Sequence, residues 1–365
     1  MIGVNLMGTT DITEKNANVI NLPNRIEWID IAKGIGIICV IIGHMGIYSV
    51  NRVVFSFHMP LFFIISGYVF HIDNRSFTNT LKRNYNSLIK PYIATCIAIT
   101  LLSIMLNTIT FHFYKILPDT YNWFIRSLYG SGTNANKTLF NIGQIGAIWF
   151  LLCLFWVRNF YTLISKIQSI FIWIIIVFLF FIGYHSVKYI YIMWSIQSAM
   201  TAILFYHIGY KIKQYNLLNI KPIITTLICL LIWGLCLYFN KDIMSIVRNK
   251  YPDISLNILG AITGTIVIIN FSKLLTKFKI SKILTYFGEN SLIILCFHLI
   301  ELNLLPWQSV LTKLGINNAY ICYIIIFICK IVWCICGVHC CNNTKLGRWI
   351  FQKKVKSAII RTVSK

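Results

Sequence analysis

Charge is scarce in this chain, and negative charge most of all: only 10 of 365 residues are Asp or Glu, and charged residues of both signs make up 12%. A water-soluble domain carries charge on about a quarter of its residues. With 57% hydrophobic residues and a mean hydropathy of +0.72, the chain lacks the polar surface of a soluble enzyme. The first 28 residues hold Asp11, Glu14, Lys15 and Arg25, with no short apolar core leading to a small-residue cleavage site, so no removable signal peptide is expected. Internal repeats, low-complexity tracts and a soluble domain are also missing. Twelve cysteines are present, but Cys39, Cys96, Cys153, Cys229, Cys236, Cys296, Cys322 and Cys329 sit in apolar runs. There a thiol acts as a small buried hydrophobe, which excludes a disulfide framework. Cys334, Cys336, His339, Cys340 and Cys341 cluster without two separated ligand pairs, and no metal is expected there.

What the chain does have is apolar length. A membrane-spanning helix takes about 20 apolar residues, and apolar segments fall near 30–50, 53–71, 91–109, 142–157, 169–184, 189–210, 222–239, 255–271, 287–305 and 319–338. The expected fold is an all-α polytopic membrane bundle of about ten transmembrane helices. Lys and Arg outnumber acids 33 to 10. Of those 33, 22 fall in the two tails and the loops on their side, against 9 in the opposite loops. By the positive-inside rule both termini are cytoplasmic. The net charge of +23 is therefore topological, dispersed over short loops, and no nucleic acid is expected as a partner. The division that follows is a cytoplasmic N-terminal tail at 1–27, a transmembrane domain at 28–340 and a basic cytoplasmic C-terminal tail at 341–365. The longest outer loop, about 110–141, is rich in aromatic, Asn and Gly residues and is placed over a site opening outward.

An ionisable group at membrane depth costs at least ~2.5–3.5 kcal/mol on insertion scales and so needs a partner, a wet cavity or a task. The first span carries Asp30, Lys33 and His44. The 11-residue spacing of Lys33 and His44 sets them about 20° apart around a helix and ~16 Å apart along it, one face at two depths. Asp30 is placed to pair with Lys33. His58 precedes Pro60 in the second span, where Gly67 permits close helix contact. In the ninth span His298 and Glu301 are three apart on one face, so a carboxylate can orient an imidazole for general-base work. Each has a bland reading too: an ion pair at a helix end, interhelical hydrogen bonds, an outer-end carboxylate in water. Lys330 in the tenth span reads as a snorkelling or cavity-facing lysine without chemistry.

These residues stand in recognisable strings: Trp28, Ile29, Asp30, Ile31, Ala32, Lys33 and Gly34 running to Gly43 and His44, then Phe57, His58, Met59 and Pro60 through Ser66, Gly67 and Tyr68. They resemble the acyltransferase-3 family of membrane acyltransferases, in its fucose 4-O-acetylase-like branch. That family's first motif, a basic residue, ten spacers and a histidine, is matched by Lys33 and His44. Further similarity lies at Lys82, Arg83, Lys90, Pro91 and Tyr92, at Trp149, Phe150 and Leu151, and at Asn290 and Ser291 through His298. Family members often have arginine where Lys33 and Lys90 stand, and many carry a fused C-terminal esterase-like domain that this chain is expected to lack.

The resemblance implies a protein of the bacterial cytoplasmic (inner) membrane that moves an acyl group, usually acetyl, from cytoplasmic acyl-CoA to a hydroxyl of a cell-surface or lipid-linked glycan. Its partners are then acetyl-CoA as donor, the glycan or lipid-linked sugar as acceptor, and the bilayer. On this reading His44 is the general base, and His58, His298 and Glu301 are supporting catalytic residues. Lys33, Lys82, Arg83 and Lys90 bind donor phosphates, with Asp30 in the donor site through its pairing with Lys33. The residues alone leave three alternatives: a transporter or flippase of a polysaccharide precursor, a non-catalytic membrane module, and an enzyme with another donor such as a succinyl thioester.

Overall fold

The protein is described by a computed structural model that covers residues 25–72, 76–133, 138, 140–316 and 318–352. The N-terminal tail before residue 25 and the end of the basic C-terminal tail lie outside the described residues. Within them the chain is all-helical, with isolated bridges and no named strand. The helices in chain order are α1 (Glu27–Gly43), α2 (Tyr48–Tyr68), α3 (Phe77–Asn84), α4 (Lys90–Ile109), α5 (Phe113–Tyr129), α6 (Trp149–Ile164), α7 (Ser169–Ser186) and α8 (Ile196–Gln214). They continue as α9 (Pro222–Phe239), α10 (Ile254–Leu275), α11 (Ser281–Glu289), α12 (Ser291–Leu304), α13 (Trp307–Lys313), α14 (Ala319–Asn343) and α15 (Lys345–Ile350). Every apolar segment of the sequence overlaps at least one of them.

Six runs are long and apolar enough to cross a membrane: α2, the run from α3 through α4, α7, α9, α10 and α14. The pair α11 and α12, bent by 72° at Asn290, makes a seventh if counted as one crossing. The other expected crossings, α1, α6 and α8, fall short for a physical reason. They are 17, 16 and 19 residues long, and α1 carries Glu27, Asp30 and Lys33 while α8 carries Gln197, Ser198, Lys211 and Lys213. Buried residues number ten of the 17 in α1 and twelve of the 19 in α8, against only Cys229 and Cys236 in α9. A helix enclosed by other helices meets little lipid and needs no apolar coat of its own.

α1 is the axis of the bundle, packed against α2, α10, α11, α12 and α14. Its closest neighbour is α11, where a Cβ on Gly34 would collide with the Leu284 carbonyl and one on Gly288 with the Asp30 carbonyl. The same device joins α2 to α8: Gly67 abuts the Tyr206 carbonyl and Gly209 the Ile64 carbonyl. Small residues that let backbones meet are how helices associate where no hydrophobic drive separates them from lipid.

Loops gather at two ends. At one, Lys213 meets His71 at 3.0 Å, Arg25 meets Glu289 at 3.1 Å, and Lys273 donates to the Leu218 carbonyl at 3.1 Å. At the other, Tyr48 donates to the Lys241 carbonyl at 2.9 Å and Trp194 to the Leu128 carbonyl at 2.9 Å. The lysine- and arginine-rich loops share the first end. One expectation is corrected here: much of the stretch taken as a loop at 110–141 is α5, an amphipathic helix with Pro118 inside it, ended by Gly130 at φ +63°.

Candidate active site

The site lies where α1, α2, α6, α12 and two irregular segments converge. α1 carries Lys33 and His44 on one face, three turns apart, and both line a single cavity of about 310 Å³. His44 is the residue that ends α1, its amide bonded back to Ile41 at 3.2 Å. His58 enters the same cavity from α2 and donates Nδ1–H to the Val54 carbonyl at 2.7 Å, which leaves Nε2 as its acceptor. The Phe55 ring meets the His58 ring edge-on at 4.9 Å. Pro60, two residues on, sits inside α2 and removes the donor that the Ser56 carbonyl would otherwise have.

His44 also lines a second, wider cavity of about 610 Å³ together with Tyr48, Asn51, Gln144, Asn303 and Arg248. The two cavities share His44, Phe55, Ala147, Trp149, Ser245 and Val247. His44 therefore stands at their junction. The first cavity runs toward the lysine-rich end, where Lys33, Ser66, Ser87 and Arg158 line it. The second opens at the opposite end of the bundle, between the loop after α1 and the segment 242–250.

That segment is a fixed wall. Asn249, in the left-handed region at φ +46°, donates to the carbonyls of Gly183 at 3.0 Å and Gln197 at 2.9 Å, and its side-chain oxygen accepts from Thr201 at 2.6 Å. Tyr191 and Ser198 both donate to the Val247 carbonyl.

Behind His44 lies a buried polar stack. The ring of His298 on α12 is 5.2 Å from that of His44, centroid to centroid, with a 48° tilt. His298 Nδ1 donates to Glu301 Oε1 at 2.7 Å, and Lys330 on α14 reaches both Glu301 oxygens at 2.7 and 3.0 Å. Trp307 Nε1 adds a third donor to Glu301, at 2.6 Å. His298 and Glu301 have no exposed surface, and Lys330 is 4% exposed. The 72° bend between α11 and α12 is what aims this stretch of α12 at α1. Lys330 is therefore no snorkelling lysine; it is the buried cation of a buried carboxylate.

The basic residues expected at the donor site divide into two groups. Lys33 lines the main cavity, and Arg83 lines a smaller one of about 120 Å³ with Thr80, Thr162 and Lys166. Lys82 is exposed and lines neither cavity. Lys90 lies 3.3 Å over the Trp349 ring of α15, held by a cation–π contact away from the cavity. Asp30 is buried, with Arg25 at 2.5 Å and Lys33 at 3.7 Å on its two oxygens, and it does not line the main cavity.

Arg158 is a further basic residue of the cavity, missed in the sequence. The charge count assigned it to a loop, whereas it is the one charged residue within α6 and lines the main cavity beside Lys33. Its isolation in an apolar run was the available signal. The wall at 244–247 had no such signal. Among the described residues no group of three or more His, Cys, Asp or Glu is arranged to hold a metal ion; Cys336 and Cys340 are exposed, while Cys334 packs beneath α12.

No curated protein and no solved structure matches the chain. A match to a family of acyltransferases lends no support to a transporter. Residues 26–340, most of the chain, match the model of the acyltransferase domain Acyl_transf_3, and the protein is an integral membrane member of that acyltransferase family.

Proposed function

We propose that the protein is a membrane O-acyltransferase, specifically an O-acetyltransferase, that moves an acetyl group from cytoplasmic acetyl-CoA to a hydroxyl of a cell-surface or lipid-linked glycan. The observation that carries this reading is the position of His44 at the junction of two cavities opening toward opposite ends of the bundle. A reaction between a donor on one side of a membrane and an acceptor on the other needs one basic group reachable from both.

The inner cavity suits the donor. Lys33 and Arg158 offer cationic donors to phosphate oxygens, and the ~16 Å along α1 from Lys33 to His44 spans a pantetheine arm held extended. The apolar wall of Phe62, Phe150 and Leu154 fits that arm and excludes water from the thioester. The outer cavity suits a sugar: Asn51, Gln144 and Asn303 match hydroxyls, while Tyr48, Phe55 and Trp149 cover the apolar ring face.

In the transfer, His44 takes the hydroxyl proton as the acceptor oxygen bonds to the thioester carbonyl carbon. Collapse of the tetrahedral adduct breaks the carbon–sulfur bond, and the CoA thiolate recovers the proton from His44. His58, whose Nδ1–H is held by the Val54 carbonyl, turns an accepting Nε2 to the cavity and can orient the attacking hydroxyl. Ten crossings with both termini in the cytoplasm and residence in the bacterial inner membrane belong to the same reading.

The test is transfer of labelled acetyl from acetyl-CoA to a surface-glycan fraction by protein in liposomes. A positioned histidine base contributes about 10²–10⁴-fold, so a well-folded His44→Ala protein should lose at least that much while still binding acetyl-CoA. Transfer undiminished in His44→Ala removes His44 from the chemistry, and absence of acetyl-CoA binding in the wild type removes the donor.

A further inference from the structure

The transfer chemistry above makes no use of Lys330, yet burying an ammonium group beneath the site is costly enough to need a reason. We propose that Lys330 is a positioning residue: as the counter-cation of Glu301 it leaves His298 a neutral imidazole, protonated on Nδ1 and open on Nε2, behind His44. The proposal rests on the acyl-transfer reading only for its purpose, since the state of His298 is a property of the resting protein.

The hydrogen bonds carry the argument. Glu301 meets Lys330 Nζ, Trp307 Nε1 and His298 Nδ1, all within 3.0 Å. An ammonium and an indole N–H can only donate, so Glu301 accepts from them as a carboxylate and accepts from His298 Nδ1–H as well. Its one negative charge is already matched by Lys330. A proton on His298 Nε2 would add an unmatched positive charge where exposure is nil and where Nε2 has no hydrogen-bond partner among the described residues. The titratable and charged groups around it are His44 from α1, His58 from α2, Glu301 on its own helix, and Lys330 and Cys334 from α14. Glu301 is the one acid among these.

Removing the Lys330 charge reverses the balance. Glu301 becomes a buried anion without a counter-ion, and of the two groups that can take a compensating proton, Glu301 itself and Nε2 of the imidazole bonded to it, the imidazole is the more basic. A cationic His298 then stands 5.2 Å from His44 and opposes the positive charge that forms on His44 as it takes the hydroxyl proton. At that separation and an effective dielectric near 20 the penalty is about a hundredfold in rate.

The experiment uses full-length protein labelled with ¹⁵N-histidine in nanodiscs near neutral pH, with the His298 signals identified by their loss in His298→Gln. In the wild type one ring nitrogen of His298 should be protonated and one bare. In Lys330→Met both should be protonated. Lys330→Gln, which keeps a donor to Glu301 without the charge, should match Lys330→Met and stands in for it should the apolar variant fail to fold. Lys330→Arg and the double variant Glu301→Gln/Lys330→Met should return the neutral ring.

In turnover, Lys330→Met should lower kcat about a hundredfold with the KM for acetyl-CoA unchanged, and Lys330→Arg should restore most of it. A neutral His298 in both Lys330→Met and Lys330→Gln, or a cationic His298 in the wild type, overturns the proposal. The nitrogen signals need no turnover, so they decide the role of Lys330 even in a protein that transfers no acetyl and thereby fails the acyl-transfer reading.

Discussion

At the scale of single residues, the proposed roles separate groups that bind from groups that react. Lys33 and Arg158 line the inner cavity toward the lysine-rich end, about three helical turns from His44. Contacts to phosphates distant from the thioester act equally in the ground and transition states, so their loss appears in KM. Arg158→Gln should raise the KM for acetyl-CoA tenfold or more, from about 1.5–3 kcal/mol per charged hydrogen bond, while kcat changes little. Arg83→Gln, at the smaller cavity, should raise KM less. A fall in kcat at constant KM for Arg158→Gln would place Arg158 in the chemistry instead. His58→Phe, which removes Nε2 but keeps a ring against Phe55, should lower kcat and leave donor KM intact; initial rates over a range of acetyl-CoA separate the two.

At the scale of elements, the site depends on two helix contacts that side chains cannot occupy. Gly34 and Gly288 let α1 and α11 touch backbone to backbone, and α11 turns into α12, which bears His298 and Glu301. Gly288→Val should force α11 away from α1 and abolish monodisperse protein in size-exclusion chromatography, since the added atoms meet a backbone carbonyl that cannot move aside. Gly67→Val should do the same through α8. At Gly46, in contrast, open space surrounds the Cβ position and only the backbone angle of φ +81° resists substitution. Gly46→Ala should therefore cost about 1 kcal/mol or somewhat more and leave an active protein of lower melting temperature.

At the scale of the whole molecule, the charge distribution and the two cavities agree on an orientation. The lysine- and arginine-rich loops and the inner cavity's basic end share one end of the bundle, and the polar outer cavity lies at the other. Tags on both termini should be protected from impermeant reagents in intact cells, while a cysteine placed at Lys241 should be labelled from outside. Labelling of either terminus would overturn the ten-crossing arrangement.

The all-helical membrane class, the approximate positions of the apolar helices and the placing of Lys33 and His44 on one face were legible in the residues alone. Those follow from composition and the 3.6-residue period, which act within a single segment. The proximity of His298 and Glu301 was legible for the same reason, being three residues apart on one helix. It took the packing of the helices to set His298 against His44 and Lys330 on Glu301, to bring Arg158 and Lys33 into one cavity while Lys90 turns to Trp349, and to make residues 244–247 a wall. These depend on a 72° bend at Asn290, on glycine contacts between α1 and α11, and on buried hydrogen bonds that pin 242–250. Each joins segments far apart in the chain, and no local periodicity encodes which helix a side chain will meet.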